Sequence, residues 1–211
     1  MDGKILICNL AKGLIGEDTS QIFGVAVLTQ LQLAAYRRAR RVQEARKPFY
    51  LYVDEFQNFA TLAFVQMLSE SRKYGINLIM AEQSTSQQDD QRMVDTIMSN
   101  VGTVIAFRSG SPADEQILLP IFRPYLKEGD IANLASFQFY ARMSAIVSQE
   151  PVSGRTLLLN SKGNNKIAQH VIEASRKNYA TKYSKEGSAK ASEKKKAKRV
   201  TKKPKTVNLP E

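Results

Sequence analysis

Two adjacent carboxylates, Asp54 and Glu55, close the uninterrupted apolar run Phe49-Tyr50-Leu51-Tyr52-Val53. Such a run predicts a strand covered on both faces, and in an open α/β sheet ligands gather beyond the carboxyl ends of the strands. Placed there, the first carboxylate could orient metal-bound water and the second could polarise an attacking water. That division of labour suits Mg²⁺-nucleotide chemistry. The same pair could instead cap a following helix. The lone His170 has no Cys or second His to complete a metal site and reads as a core or surface side chain. Cys8, the one cysteine, excludes an intrachain disulfide and reads as a small buried strand residue within Ile5-Leu6-Ile7-Cys8.

The elements that must position Asp54 and Glu55 alternate. Residues 4–10 read as a short buried strand, broken by Gly13 and Gly16. A long segment of helix formers covers 21–46, with Asp18, Thr19 and Ser20 as candidate caps. Its second half carries Arg37, Arg38, Arg40, Arg41, Arg46 and Lys47, read as solvated, and Pro48 ends it. After the strand at 49–53 comes an amphipathic helix over 62–73 stopped by Gly75, then a strand over 76–81. Helices over 90–99 and 113–122 flank a strand at 103–108, and the first turn of the later helix is acidic at Asp114 and Glu115. Edge strands are expected within 138–147 and 155–160, and a last helix over 165–183. The order predicts an α/β fold with a mostly parallel sheet and flanking helices.

With 211 residues and 43% hydrophobic content, one core with appendages is expected. No apolar run approaches the roughly 20 residues of a membrane span, and no signal-peptide pattern opens the chain, so a cytoplasmic location is expected. The formal charge of +11 is unevenly spread. Residues 182–211 hold 11 Lys/Arg against 3 Asp/Glu, a net of +8. This tail has little to bury and is expected to be disordered, either a polyelectrolyte arm for DNA, RNA or anionic lipid or a solubilising terminus. The expected organisation is therefore a domain at 1–181 and a tail at 182–211.

Three blocks stand in order: Tyr50-Leu51-Tyr52-Val53-Asp54-Glu55-Phe56-Gln57-Asn58-Phe59, Glu70-Ser71-Arg72-Lys73-Tyr74-Gly75-Ile76-Asn77-Leu78 and Ala81-Glu82-Gln83-Ser84-Thr85-Ser86-Gln87. Over residues 3–147 the chain resembles the hexameric FtsK/HerA-like motors. Within them it is similar to the TraD/TraG-type coupling proteins of bacterial conjugation and type IV secretion. The resemblance implies a partial RecA-like P-loop NTPase domain using ATP and Mg²⁺. Asp54 would belong to the Walker B metal site, with Mg²⁺ held through water, and Glu55 would be the catalytic carboxylate. Arg72 matches the arginine finger offered to a neighbouring subunit, and Gln83 the glutamine that senses the γ-phosphate and contacts the nucleotide. Arg108 is a softer candidate to face a nucleotide.

The chain departs from the pattern in one respect. No Gly-x-x-x-x-Gly-Lys-Ser/Thr string occurs, so the phosphate-binding loop is missing and a truncated or split reading frame is expected. The implied whole would be a hexamer that moves DNA, with type IV secretion components as partners and any membrane anchor in missing N-terminal segments. The isolated chain would hydrolyse ATP poorly. The alternatives are a secretion-assembly ATPase, a HerA-type repair translocase, or a non-catalytic adaptor binding DNA through its tail.

Overall fold

A computed structural model describes residues 3–59, 61–84, 91–144, 149–160 and 162–181. Thr85, Ser86, Gln87, Asp90 and the basic tail at 182–211 lie outside the described residues, as do the ends of the strand expected to 147 and of the helix expected to 183. The chain divides into two compact units, 1–157 and 158–211.

In the first unit, a single helical turn, α1 (Lys12–Ile15), leads through Gly16 (φ 84°) into α2 (Glu17–Arg37). Acidic Glu17 and Asp18 in the first turn of α2 complement its dipole. Strand β1 (Phe49–Val53) is followed by a 3-10 turn at Phe56–Asn58 and α3 (Leu62–Ser71). Thr61 caps α3, its hydroxyl accepting from Phe64 N–H at 3.2 Å. Another 3-10 turn, Arg72–Tyr74, and Gly75 (φ 71°) turn the chain into β2 (Ile76–Met80). Then come α4 (Gln91–Asn100), β3 (Thr103–Phe107), α5 (Pro112–Phe122), β4 (Gln138–Met143) and β5 (Val152–Arg155). The second unit contains α6 (Asn165–Tyr179), capped by Asn164 and with no buried residue.

The α/β class expected from sequence holds, but the sheet is not mostly parallel. β1 and β2 pair in parallel, Phe49 opposite Ile76 and Val53 opposite Met80, whereas β3–β4 and β4–β5 are antiparallel. Apolar alternation marks a strand without marking its direction. Residues 4–10 are not a strand either: residues 4–9 are exposed and irregular, and Cys8 is exposed rather than buried. Among the described residues none pairs with this segment, and an extended segment needs a ladder partner to become a strand.

One core gathers Leu28 of α2, Val53, Phe56, Phe59, Phe64, Met67 and Ile97. Helix α2 approaches closely because position 24 is glycine: a Cβ there would stand 2.2 Å from the Phe59 ring. The core covers only one face of the parallel pair. Tyr50 and Tyr52 point to the other face and are 59% and 72% exposed, so β1 is not covered on both sides. A smaller core of Ala106, Phe122 and Ile131 lies under β3 and α5. The acidic first turn of α5 is buried rather than solvated. Glu115 accepts from the backbone N–H groups of Gly129, Ile131 and Ala132 at 2.9, 3.2 and 3.4 Å, and Asp114 accepts from Ser84 and Ser109, each at 3.0 Å.

Helix α2 ends at Arg37, short of the expected 46, and its basic extension is only partly solvated. Arg38 is 6% exposed, its guanidinium donating to the carbonyls of Lys47 and Gly75. Burial, then the neighbouring charges of Arg41 and Arg46, lower its pKa from the ordinary arginine value. These bonds fold the 38–48 segment back onto the turn before β2, which a continued helix could not do.

Candidate functional site

Because β1 and β2 are parallel, their carboxyl ends share one edge. Ala81 N–H donates to Val53 O at 2.9 Å and Phe56 N–H to Ala81 O at 3.1 Å, so the chain leaving β1 is stapled to the end of β2. Between them Glu55 takes a left-handed conformation, φ 50° and ψ 46°, unusual for a residue with a Cβ. That kink gives the Glu55 carboxylate two amide donors. Gln57 Nε2 donates to its Oε2 at 2.7 Å, and Gln83 Nε2 donates to its Oε1. Asp54 is exposed beside it, its Oδ1 accepting from Glu55 N–H at 3.1 Å.

The structure thus brings Glu55 and Gln83 into contact, with Asp54 adjacent, and does not bring Arg72 to them. Arg72 is exposed in the turn that precedes β2, at the amino end of the strand whose carboxyl end leads to Gln83. Five strand residues, at about 3.3 Å each, lie between those ends. Arg108 is exposed just beyond β3, in the other sheet, and His170 is exposed on α6.

Two contributors escaped the sequence reading. Gln57 stood inside the first block, but only the left-handed turn at Glu55 reveals its role. Lys12 donates to Glu17 and to Asn58, both at 2.8 Å. The hydrogen bond from Lys12, and then its charge, lower the Glu17 pKa. Lys12, Asp54, Glu55 and Asn58 share the lining of a groove of about 1000 Å³ bounded by α2, β1 and residues 3–12. No spacing in the sequence signals that Lys12 meets Asn58.

The donor chemistry fits a hard, hydrated cation. Asp54 offers exposed carboxylate oxygens at the shared end of the strands. Mg²⁺ is commonly held in this way, by one or two carboxylates with several waters retained. Beside Glu55, the buried Gln57 Oε1 has no hydrogen-bond partner among the described residues and is an acceptor suited to a water or hydroxyl donor.

Residues 48–118, which contain Asp54, Glu55, Arg72 and Gln83, match a sequence family described as the TraM recognition site of TraD and TraG. This segment is of the TraD/TraG type. No curated protein matches the chain. Among solved structures, the chain is similar to the unbound conjugative coupling protein TrwB (16% identity, 60% of this chain and 35% of that one, TM-score 0.46). It is also similar to TrwB in complex with ADP and Mg²⁺ (19%, 63% and 37%, 0.48). A third is the genome-packaging NTPase B204 of Sulfolobus turreted icosahedral virus 2 in complex with AMPPCP (15%, 66% and 63%, 0.46). The match thus spans little more than a third of the TrwB chains. Within the TraD/TraG-type segment, Glu55 and Gln83 are 28 residues apart and meet only because β2 returns parallel to β1.

Proposed function

We propose that this chain carries the water-activating half of an ATP-hydrolysing site in a conjugative coupling protein, whose intact form moves DNA as a hexamer. The observation that carries the reading is the Glu55 carboxylate at the shared strand edge, held by Gln57 and Gln83 through one oxygen each. Two amide donors fix the direction of the carboxylate, as a general base requires. Gln83, bonded to Glu55, would pass a shift of the γ-phosphate on to that carboxylate. Asp54 would hold the hydrated Mg²⁺ that neutralises charge on the phosphates. Arg72, a strand length away, would serve a neighbouring subunit, where exclusion of water strengthens its pull on the transferred phosphoryl group. The loop cradling the phosphates would come from chain outside these 211 residues, as would any membrane anchor. Among the described residues no helix is long and apolar enough to cross a membrane.

The test is titration of Mg²⁺-ATP at millimolar concentration into isotope-labelled chain, followed by NMR. The side-chain amides of Gln57 and Gln83 should shift, Asp54→Ala should abolish the shifts, and ATP turnover should be negligible. Absence of any shift sinks the site, while Glu55-dependent turnover by the chain alone sinks the half-site reading.

A further inference from the structure

At the amino edge of the parallel pair, opposite Glu55, eight Lys/Arg within 37–47 and 72–75 face one acid, Glu44. The backbone gathers them. Besides the two Arg38 bonds to Lys47 and Gly75, the Arg46 guanidinium donates to Arg41 O (3.0 and 2.7 Å), to Ala39 O (3.5 Å) and to Lys73 O. Two guanidinium groups are therefore occupied by main-chain carbonyls, and six cations remain directed to solvent: Arg37, Arg40, Arg41, Lys47, Arg72 and Lys73. None of the six forms an ion pair with a described residue. Like charges gathered on one edge repel, and within these segments Glu44 is the one acid to offset eight cations.

Aromatic rings are set among these charges. Tyr36 and Tyr74 meet edge to face at 5.5 Å, and the Arg46 guanidinium lies 6.0 Å from the Tyr74 ring centre. Phosphates repeated along a backbone suit a row of fixed cations, and rings with a stacked guanidinium offer bases a platform. A lipid surface would call for apolar residues to insert, and here the exposed aliphatic side chain is Val42 alone.

We propose that this arginine-tyrosine edge, rather than the Lys-rich tail, is the principal contact for a single-stranded nucleic acid, gripping the phosphates without sequence preference. Arg72, assigned above to a neighbouring subunit, is not needed for this contact; the other five cations bind without nucleotide, so the proposal is independent of the carboxylate site.

Two full-length variants with equal changes in net charge decide it: Arg40→Glu/Arg41→Glu/Lys47→Glu at the edge and Lys194→Glu/Lys195→Glu/Lys196→Glu in the tail. Binding to a fluorescent 20-nucleotide oligothymidine is read by anisotropy across a salt series without nucleotide. The edge variant should lose at least about tenfold in affinity, and its log–log salt slope should fall by about 2, near 0.7 for each phosphate contact removed. The tail variant should lose clearly less. The proposal is overturned if the tail variant loses as much or more, if the edge variant binds like the parent, or if polyglutamate of equal charge competes as well as unlabelled oligothymidine. Circular dichroism checks the fold, and Arg40→Ala/Arg41→Ala, which keeps the main-chain carbonyls that Arg46 uses, should show the same order of effects if reversal perturbs folding.

Discussion

Glu55 combines an unusual backbone conformation with a carboxylate whose two oxygens each accept a side-chain amide proton. Glu55→Gln should therefore turn one acceptor into a donor facing another donor, releasing Gln57 or Gln83. A loss of about 1 kcal/mol in urea unfolding is expected, with one of the two side-chain amide signals moving toward its solvent position. An unchanged midpoint and unchanged amides would remove the geometric basis of the site. Lys12 offers a pH test at the same scale. Glu17 is held below its ordinary pKa by Lys12, so their contact stabilises the fold above the unfolded carboxylate pKa and is lost as pH falls through the lower folded value. In Lys12→Met, the Glu17 carboxyl followed by ¹³C NMR should titrate higher, near its ordinary value. Asp54, Glu55 and Gln83 could be singled out from sequence because residue type and order mark them. Lys12 and Gln57 could not, since their partners are set by a left-handed turn and by a contact 46 residues away.

Helices and strands were legible mainly through their punctuation. Pro48 precedes β1, Gly75 precedes β2 with a positive φ, and Thr61 caps α3. What periodicity could not supply was the partner of each element. Residues 4–10 are apolar enough for a strand yet form no ladder with any described strand, and β3 joins an antiparallel sheet although its sequence resembles that of β1. Packing between elements gives a sharper test at Gly24. A methyl group there would overlap the Phe59 ring at 2.2 Å, so α2 or the ring must move. Gly24→Ala should destabilise by about 1–3 kcal/mol despite the better helix propensity of alanine. Gly13→Ala, whose Cβ would meet nothing within 4 Å, should stay within about 0.5 kcal/mol of the parent. Equal effects of the two in chemical denaturation would show that α2 does not rest on that ring. The buried Glu115 is comparable: Glu115→Gln keeps the shape but weakens three bonds to the 129–132 turn, and should cost about 1–3 kcal/mol.

Taken whole, the first unit has a polarity: carboxylates at one edge of the parallel pair, guanidinium groups at the other, and a sheet with one face finished. The unfinished side can be located from hydrogen-bond phase. Phe49 N–H bonds to Gly75 O and Val53 O accepts from Ala81 N–H, so alternate residues of β1 turn their peptide groups toward β2, while those of Tyr50 and Tyr52 turn to the other edge. No strand among the described residues takes that edge, and the Tyr50 and Tyr52 side chains stand exposed with Ile79 on the uncovered face. An unpaired edge beside an apolar face is a template for another strand. The chain is accordingly expected to self-associate as concentration rises, despite its charge of +11, and to do so more at high salt, where repulsion is screened. Tyr52→Lys adds a charge to that face without touching the core. It should move the onset of association, measured by sedimentation velocity, to several-fold higher concentration while leaving the unfolding midpoint within about 0.5 kcal/mol. Association unaffected by Tyr52→Lys would place the sticky surface elsewhere, and the unpaired edge of β1 would then be protected in solution.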